Sequence, residues 1–355
     1  MPDRWNKYAN TAARPHGRPG RETRPQSTTI DIHTHISVPA AAQYVQPHLG
    51  GSGDLLASFS PPETLEIQKK QGADRTEVMT QIDQRLKDMD EMGIDLQLIM
   101  CPPGQCYYGV PIEVSVKAAQ ITNDGIAEYM ARKADRFVAL GTVPMADGKE
   151  AAKELERGMR THAFKGVQIL TNVAGKEISD PAHEPFWAKA EELGAVVLLH
   201  PNGFTEAHRF GKYYFTNVIG NPLDTTVALH YLIFDGVLER YPKLKIITVH
   251  GGGFLGGYSG RIDHAWGARS DARDDLPNPP TSYLKKIYFD TVVFTPHQLE
   301  ALVNTFGVDH ILMGTDYPFD MAEYDPIGHV VGVDALDAAA REKIIGGNAK
   351  KLLGV

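Results

Sequence analysis

Cysteine is scarce in this chain, which has only Cys101 and Cys106 among its 355 residues. Small disulfide-stapled domains are rich in cysteine, so that class of protein is excluded and a reducing compartment is favoured. The chain also lacks an apolar run of about 20 residues and an apolar segment near its start, so we expect neither a transmembrane helix nor a secretory signal. The expected location is the cytoplasm.

Positive charge is in deficit too, with 36 Lys and Arg residues against 44 Asp and Glu residues and a formal net charge of −8. Nucleic acids and anionic membranes require a basic face, so neither is an expected partner. The 42% hydrophobic and 23% charged residues are ordinary values for a globular protein with a packed core. The length suits either two average domains or one α/β barrel with insertions.

The first 27 residues differ in composition from the rest of the chain. Residues 14–21 read RPHGRPGR, a segment that cannot bury enough apolar surface to offset its ordering entropy. We therefore predict a flexible N-terminal arm over residues 1–27, which either remains a simple tail or becomes ordered against a partner subunit. Residues 28–355 would form one domain.

Short β-branched runs alternate with stretches of helical periodicity beyond this arm. That alternation is typical of βα units around a parallel sheet. The predicted strands are 29–33, 96–100, 137–142, 166–170, 195–200, 245–250, 287–292 and 310–316. The predicted helices include 77–92, 114–133, 149–161, 184–193 and 225–241.

Eight βα repeats favour an α/β fold of the TIM-barrel type, (β/α)8. An open doubly wound sheet is the alternative, but no glycine fingerprint follows the first predicted strand. Residues 37–72 are long and irregular, and we predict that they form an excursion over the barrel mouth.

Two histidines separated by one residue, His33 and His35, end the first predicted strand. Side chains at i and i+2 of a strand point to the same face, so both rings can reach one ion. Imidazole is a favoured ligand for zinc and its neighbours among the transition metals. The pattern alone is also compatible with two core histidines.

Three further polar residues, His200, His250 and Asp316, end the fifth, sixth and eighth predicted strands, and a turn or glycine follows each of them. In a barrel of parallel strands all the carboxyl ends meet at one rim, where active sites lie. The five groups therefore converge, which predicts a metal site. The alternative is that each residue merely ends its strand at the rim.

Several segments resemble the amidohydrolase superfamily, and within it the decarboxylase branch typified by aminocarboxymuconate semialdehyde decarboxylase. They are IDIHTH at residues 30–35, YPKLK at 241–245 leading to HGGG at 250–253, GTDYPF at 314–319 and GNA at 347–349. The resemblance extends over almost all of residues 30–355.

The resemblance implies that His33, His35, His200 and Asp316 bind one zinc ion, with water completing the coordination. Manganese or iron could occupy the same ligands. His250 would be the neighbouring acid/base, and Asp316 would take part in catalysis as well. The branches of the superfamily with two metals carry a carbamylated lysine at the end of the fourth strand, whereas Lys165 stands at its start.

The family's substrate-binding residues are matched less completely than its metal ligands. Arg261 matches an arginine that reaches the neighbouring subunit's active site and grips a carboxylate there, which implies a homodimer. The alternative is a surface arginine. The second arginine of the family has no clean match, although Arg75 or Lys70 could replace it, and Asn217 stands in place of a tryptophan. These departures weaken the case for an aminocarboxymuconate substrate.

Weaker expectations concern the surroundings of the site. Asp290, on the seventh predicted strand, is expected to orient His250, because catalytic imidazoles commonly donate to a carboxylate. Cys101 and Cys106 are expected in a loop near the pocket rather than on the metal.

The expected reaction is the metal-dependent, non-oxidative decarboxylation of an unsaturated or aromatic acid of the carboxymuconate semialdehyde or hydroxybenzoate type. Metal-bound water and His250 would handle the protons, since imidazole titrates near neutral pH. Two alternatives remain open at this point. One is a hydrolase or hydratase on the same scaffold, and the other is a barrel that binds a ligand without catalysis.

Overall fold

The computed structural model describes residues 20–49 and 58–355. Its parallel strands, labelled β1 to β8 in chain order, are buried over most of their length, as expected for a sheet covered on both faces. Their bounds are Ile30–His35, Leu96–Met100, Phe137–Ala139, Gly166–Leu170, Val196–His200, Lys245–Thr248, Tyr288–Asp290 and Ile311–Leu312.

The strands close into a barrel. Strands β1 to β3 pair in chain order, and so do β4 to β8. A parallel bridge between Gly141 and Val167 joins β3 to β4, and a second between Thr34 and Tyr317 joins β1 to the segment after β8. The amide of Ile32 also donates to the carbonyl of Met313 at 3.0 Å. The predicted (β/α)8 barrel is therefore confirmed, and the open doubly wound sheet is wrong.

Helices surround this barrel. Their bounds are Pro39–Val45, Pro62–Thr80, Asp83–Met92, Ile112–Ala131, Gly148–His162, Glu184–Leu193, Asn221–Phe234, Val237–Arg240, Leu255–Tyr258, Gly260–Ala268, Ser270–Arg273, Thr281–Leu284, Pro296–Phe306, Pro326–Val331, Ala338–Glu342 and Asn348–Leu353. No helix within residues 20–49 and 58–355 is long and apolar enough to cross a lipid bilayer.

Two of the predicted helices are interrupted. The helix predicted over residues 77–92 breaks at Gln81, whose backbone is extended with φ −110° and ψ 150°. The carbonyl of Gln81 accepts a hydrogen bond from the Tyr129 hydroxyl at 3.1 Å, so a tertiary contact stabilises the break. The helix predicted over residues 225–241 is divided at Gly236, which has a left-handed φ of 73°.

The excursion after β1 is more regular than its sequence suggested, because it holds one helix and the start of a second. Its residues 50–57 lie outside the described part of the chain. Ser60 Oγ lies 3.3 Å from Thr216 Oγ1, and Arg75 Nη1 lies 3.7 Å from Asp320 Oδ1. Since those partners follow β5 and β8, the excursion and the helix that continues from it to Thr80 cover the carboxyl end of the barrel.

Residues 1–19 of the predicted arm also lie outside the described residues, so the arm and its boundary stay predictions. The segment that follows is docked on the barrel. One turn of 3-10 helix forms at Gly20–Thr23, and the Gly20 amide donates to Asp325 Oδ1 at 2.6 Å. A Cβ on Gly20 would lie 2.1 Å from the amide nitrogen of Gly328, so only glycine fits there.

Candidate functional site

The carboxylate of Asp316 is the centre of the site. His33 and His35, both fully buried at the end of β1, place their Nε2 atoms 3.3 Å and 3.2 Å from Asp316 Oδ1. His200, at the end of β5, places its Nε2 4.0 Å from the same oxygen. The four predicted ligands therefore meet at one point.

The arrangement fits a metal ion. Two donor atoms that bind one ion tetrahedrally at 2.0–2.2 Å lie about 3.4 Å apart, which is close to the observed separations. The Nε2 atoms of His33 and His200 are buried without a hydrogen-bond partner among the described residues. A metal-binding site is therefore present at the carboxyl end of the barrel.

His250 stands on the other side of the same carboxylate, with its Nε2 3.4 Å from Asp316 Oδ2. Its side chain is 17% exposed, whereas that of Asp316 is 8% exposed and those of His33 and His35 are inaccessible. Donor atoms of His33, His200, His250 and Asp316 lie within 4.8 Å of one another. By distance His250 belongs to the same cluster as His33, His200 and Asp316. Its side chain is the most exposed of the five.

Both His250 and Asp316 have a left-handed backbone, with φ of 55° and 63°. Residues other than glycine rarely adopt this conformation, and such strain is concentrated at functional sites. Gly251, Gly252 and Gly253, which follow His250, have positive φ as well.

Each of the three imidazoles predicted as ligands is fixed through its second nitrogen. His35 Nδ1 donates to the Cys101 carbonyl at 3.1 Å, and His200 Nδ1 donates to the Pro201 carbonyl at 2.7 Å. His33 Nδ1 lies 2.8 Å from Asp290 Oδ2. These contacts select the tautomer that leaves Nε2 available to the metal.

The expected role of Asp290 was therefore wrong. Its Oδ2 orients His33 rather than His250, and its Oδ1 accepts from the Gly251 amide at 2.8 Å. The partner of this carboxylate depends on how β7 faces β1 across the closed barrel, which sequence spacing does not define.

The electrostatics of the cluster match the needs of a metal site. Burial alone would raise the pKa of Asp316, but the surrounding imidazoles, His33 first, hold it well below its usual range. Burial lowers the pKa of His200 to about 3 and also lowers that of His35. Burial also opposes protonation of His33, but the nearby carboxylates, Asp316 first, raise its pKa above the usual value. An ionised Asp316 and neutral His35 and His200 are the states that bind a metal, and His33 would release its proton on metal binding.

A buried cation below the site was missed by the sequence analysis. Arg85 is fully buried, donates from Nη1 to Gln97 Oε1 at 3.0 Å and contacts the His35 carbonyl through Nη2. Its guanidinium also lies 4.8 Å from the centroid of the Tyr317 ring. The available signal was an arginine beside Leu86 and Met89 on the apolar face of a predicted helix.

Of the two candidates for the second substrate-binding cation, only Arg75 lies at the mouth. Its side chain is 11% exposed, and its guanidinium stands 5.3 Å from the centroid of the Phe319 ring. That ring is 4.9 Å from the His35 ring. Lys70 is instead 70% exposed and pairs with Glu66 on its own helix.

Among the described residues, no hydrogen bond or ion pair joins the other two predicted substrate contacts to the predicted metal ligands. Arg261 is exposed on the helix Gly260–Ala268 and forms no hydrogen bond or ion pair through its side chain with the described residues. Asn217 is half-buried in a π-helical turn at Thr216–Gly220. Cys101 and Cys106 are buried free thiols with their Sγ atoms 3.9 Å apart.

Comparison with known proteins decides the family. The amidohydrolase family model matches residues 30–355, which include the whole barrel. The chain belongs to the amidohydrolase family. The resemblance read from the sequence is thereby confirmed.

Two relatives of this amidohydrolase are named as decarboxylases. It is 31% identical over 333 residues to 2-amino-3-carboxymuconate-6-semialdehyde decarboxylase of Dictyostelium discoideum. The alignment covers 93% of this chain and 92% of that protein. It is 28% identical over 294 residues to a gamma-resorcylate decarboxylase of Rhizobium radiobacter. This second alignment covers 76% of this chain and 86% of that protein.

Solved structures share the fold of this amidohydrolase. The 5-carboxyvanillate decarboxylase of Sphingomonas paucimobilis superposes with a TM-score of 0.81 at 20% identity, covering 92% of this chain and 99% of the other. A dihydroxybenzoic acid decarboxylase of Polaromonas gives a TM-score of 0.78 at 24% identity, covering 93% and 97%. The Polaromonas structure contains manganese and the inhibitor 2-nitroresorcinol.

Proposed function

We propose that this amidohydrolase is a metal-dependent, non-oxidative decarboxylase of aromatic or unsaturated carboxylic acids. The observation that carries the proposal is the Asp316 carboxylate, which faces His33, His35 and His200 through one oxygen and His250 through the other. The named activities of relatives that match over most of the chain support the same reaction.

His33, His35, His200 and Asp316 are the proposed ligands of one divalent cation. Three imidazoles and a carboxylate suit zinc, and they also accept manganese, which the Polaromonas relative binds. When bound, the cation supplies positive charge that polarises a substrate oxygen and lowers the pKa of water.

His250 is the proposed proton donor. Direct loss of CO2 from an sp2 carbon would leave a localised carbanion, so the carbon must be protonated first. His250 Nε2 gives its proton to the carbon that bears the carboxylate, and the C–C bond then breaks so that its electron pair restores the π-system. The carboxylate and one proton thereby become CO2 and the C–H product. His250 suits this role because it is more exposed toward the mouth than His33 and His35.

Arg75, Arg261 and Asn217 are the proposed substrate contacts. Asn217 rests on the sequence resemblance alone, whereas the two arginines rest on different observations. Arg75 lies over Phe319 at the mouth. Arg261 is exposed near Phe254 and Tyr258, which are 46% and 67% exposed on the same stretch of chain. We propose that this surface pairs with a second copy, so that Arg261 reaches the partner's site.

Location in the cytoplasm stays a prediction.

The decisive experiment measures CO2 release by the metal-loaded protein from a panel of hydroxybenzoates and muconate semialdehydes, with metal content determined in parallel. We expect stoichiometric CO2 and a product that carries one solvent hydrogen. A product that contains solvent oxygen without loss of CO2 would indicate a hydrolase or hydratase. Binding of the acids without turnover by metal-loaded protein would indicate a binding protein.

A further inference from the structure

The proposed substrate cation Arg75 does not stand alone at the mouth of the barrel. Asp320 Oδ1 lies 3.7 Å from Arg75 Nη1, and the two side chains are 18% and 11% exposed. Gln71 Oε1 lies 3.5 Å from the same nitrogen. A carboxylate therefore already balances the charge of Arg75 in a pocket that is largely shielded from water.

The pair lies close to the proposed site of reaction. Arg75 stands over Phe319, and the Phe319 ring packs against the ring of the proposed ligand His35. Asp320 directly follows Phe319 on the loop that begins at Asp316. Burial raises the pKa of Asp320, whereas the guanidinium of Arg75 acts in the opposite direction. Only the Phe319 ring therefore separates the Arg75 guanidinium from the ring of His35.

The chemistry of this pair favours some substituents over others. A phenolic hydroxyl is both a donor and an acceptor, so it can donate to Asp320 while it accepts from Arg75. A carboxylate only accepts, and its negative charge would lie beside that of Asp320. The pair thus complements a neutral hydroxyl and repels a second acid group.

We propose that Asp320 is a specificity-determining residue that makes this enzyme select monocarboxylic acids with a neutral polar substituent and reject dicarboxylic acids. The proposal rests on the proposed decarboxylase function, and it names the substrate class within it. Like charges about 5 Å apart in a partly shielded site repel strongly enough to reduce affinity roughly 10- to 100-fold.

The test uses 3-hydroxybenzoate and benzene-1,3-dicarboxylate, which differ only in a hydroxyl against a carboxylate. Their dissociation constants are measured by calorimetry on the metal-loaded protein, so the result does not depend on turnover. We expect the wild type to prefer the hydroxybenzoate. Asp320→Asn should shift the ratio of the two constants toward the dicarboxylate by roughly 10- to 100-fold. The double variant Arg75→Gln/Asp320→Asn should lose that gain, because no cation remains to hold the second acid.

The control is Asp309→Asn, which makes the same change in net charge at an exposed residue paired with Lys343. It should leave the ratio unchanged. An unchanged ratio in Asp320→Asn with wild-type melting temperature and metal content would overturn the proposal. A variant that misfolds is replaced by Asp320→Ser, and the same ratio decides. Absence of CO2 release from every acid would instead refute the decarboxylase function, whatever the binding ratio shows.

Discussion

At the scale of single residues, the site is defined by the two oxygens of Asp316. One faces three imidazoles and the other faces His250, so a single carboxylate separates the proposed metal ligands from the proposed proton donor. This division has a measurable consequence, because loss of a ligand and loss of the proton donor should affect different properties.

We predict that His250→Ala abolishes turnover, by a factor of at least about 100, while metal content is retained. His200→Ala should deplete the metal, because it removes a proposed ligand whose Nε2 has no other partner among the described residues. Turnover by a direct CO2 assay and metal content by elemental analysis give the two readouts. Loss of metal in His250→Ala as well would identify His250 as a ligand rather than the proton donor.

The residues at the strand ends could be predicted from the sequence, whereas the neighbouring residues that hold them in place could not. His33, His35, His200, His250 and Asp316 interrupt apolar strands, and the geometry of parallel strands brings such positions together. Asp290, Arg85 and Asp320 act through partners distant in the sequence. Asp290 is 257 residues from His33, so only closure of the barrel brings the two into contact.

At the scale of elements, tertiary contacts decide where helices begin and end. The break at Gln81 and the docking of Gly20–Thr23 depend on Tyr129 and Asp325, which periodicity within one segment cannot anticipate. The centres of the strands were predicted well because their apolar β-branched runs are local features. Two element-scale predictions follow from the packing.

Gly20→Ala should undock the segment around Gly20–Thr23, because a Cβ there would lie 2.1 Å from a backbone nitrogen. Overpacking of this kind costs about 1–3 kcal/mol. The matched control is Gly72→Ala, since Gly72 lies in a helix and a Cβ there would meet nothing within 4 Å. That control should stabilise the protein by roughly 0.5–1 kcal/mol. Thermal melting compares the two, and equal melting temperatures would show that residue 20 is not packed as described.

His183 should make the protein sensitive to acid. It is 2% exposed at the start of the helix Glu184–Leu193, neither ring nitrogen has a partner among the described residues, and burial lowers its pKa. The unfolded state takes up a proton below about pH 6.5 that the folded state resists, so the free energy of unfolding falls as the pH falls through that range.

Urea unfolding at pH 7.5 and 5.5 measures this effect. His183→Leu should lose less stability between the two pH values than the wild type does. His48→Ala is the control, because His48 is exposed, and its pH dependence should match that of the wild type. An identical pH dependence in His183→Leu would contradict the prediction.

At the scale of the whole molecule, the count of βα units was sufficient to predict closure of the barrel, whereas the assembly of subunits stays a prediction. The exposed Arg261 forms no side-chain hydrogen bond or ion pair within the described residues. If it serves a partner's site in a symmetric dimer, two defective subunits can complement each other.

We predict that mixing inactive Arg261→Ala and His250→Ala subunits, followed by dissociation and reassociation, restores roughly a quarter of wild-type activity. Half of the dimers would then be mixed, and each of those would contain one intact site. Size-exclusion chromatography with light scattering establishes the dimer, and CO2 release measures recovery. No recovery from mixed dimers would mean that Arg261 does not act across the interface.

The bridging carboxylate of Asp290 has a mechanical consequence for this enzyme. One of its oxygens holds the ring of His33, and the other holds the backbone amide next to His250. A displacement at either end is therefore transmitted to the other. The proposed ligand His33 and the proposed proton donor His250 are thereby coupled through one buried side chain.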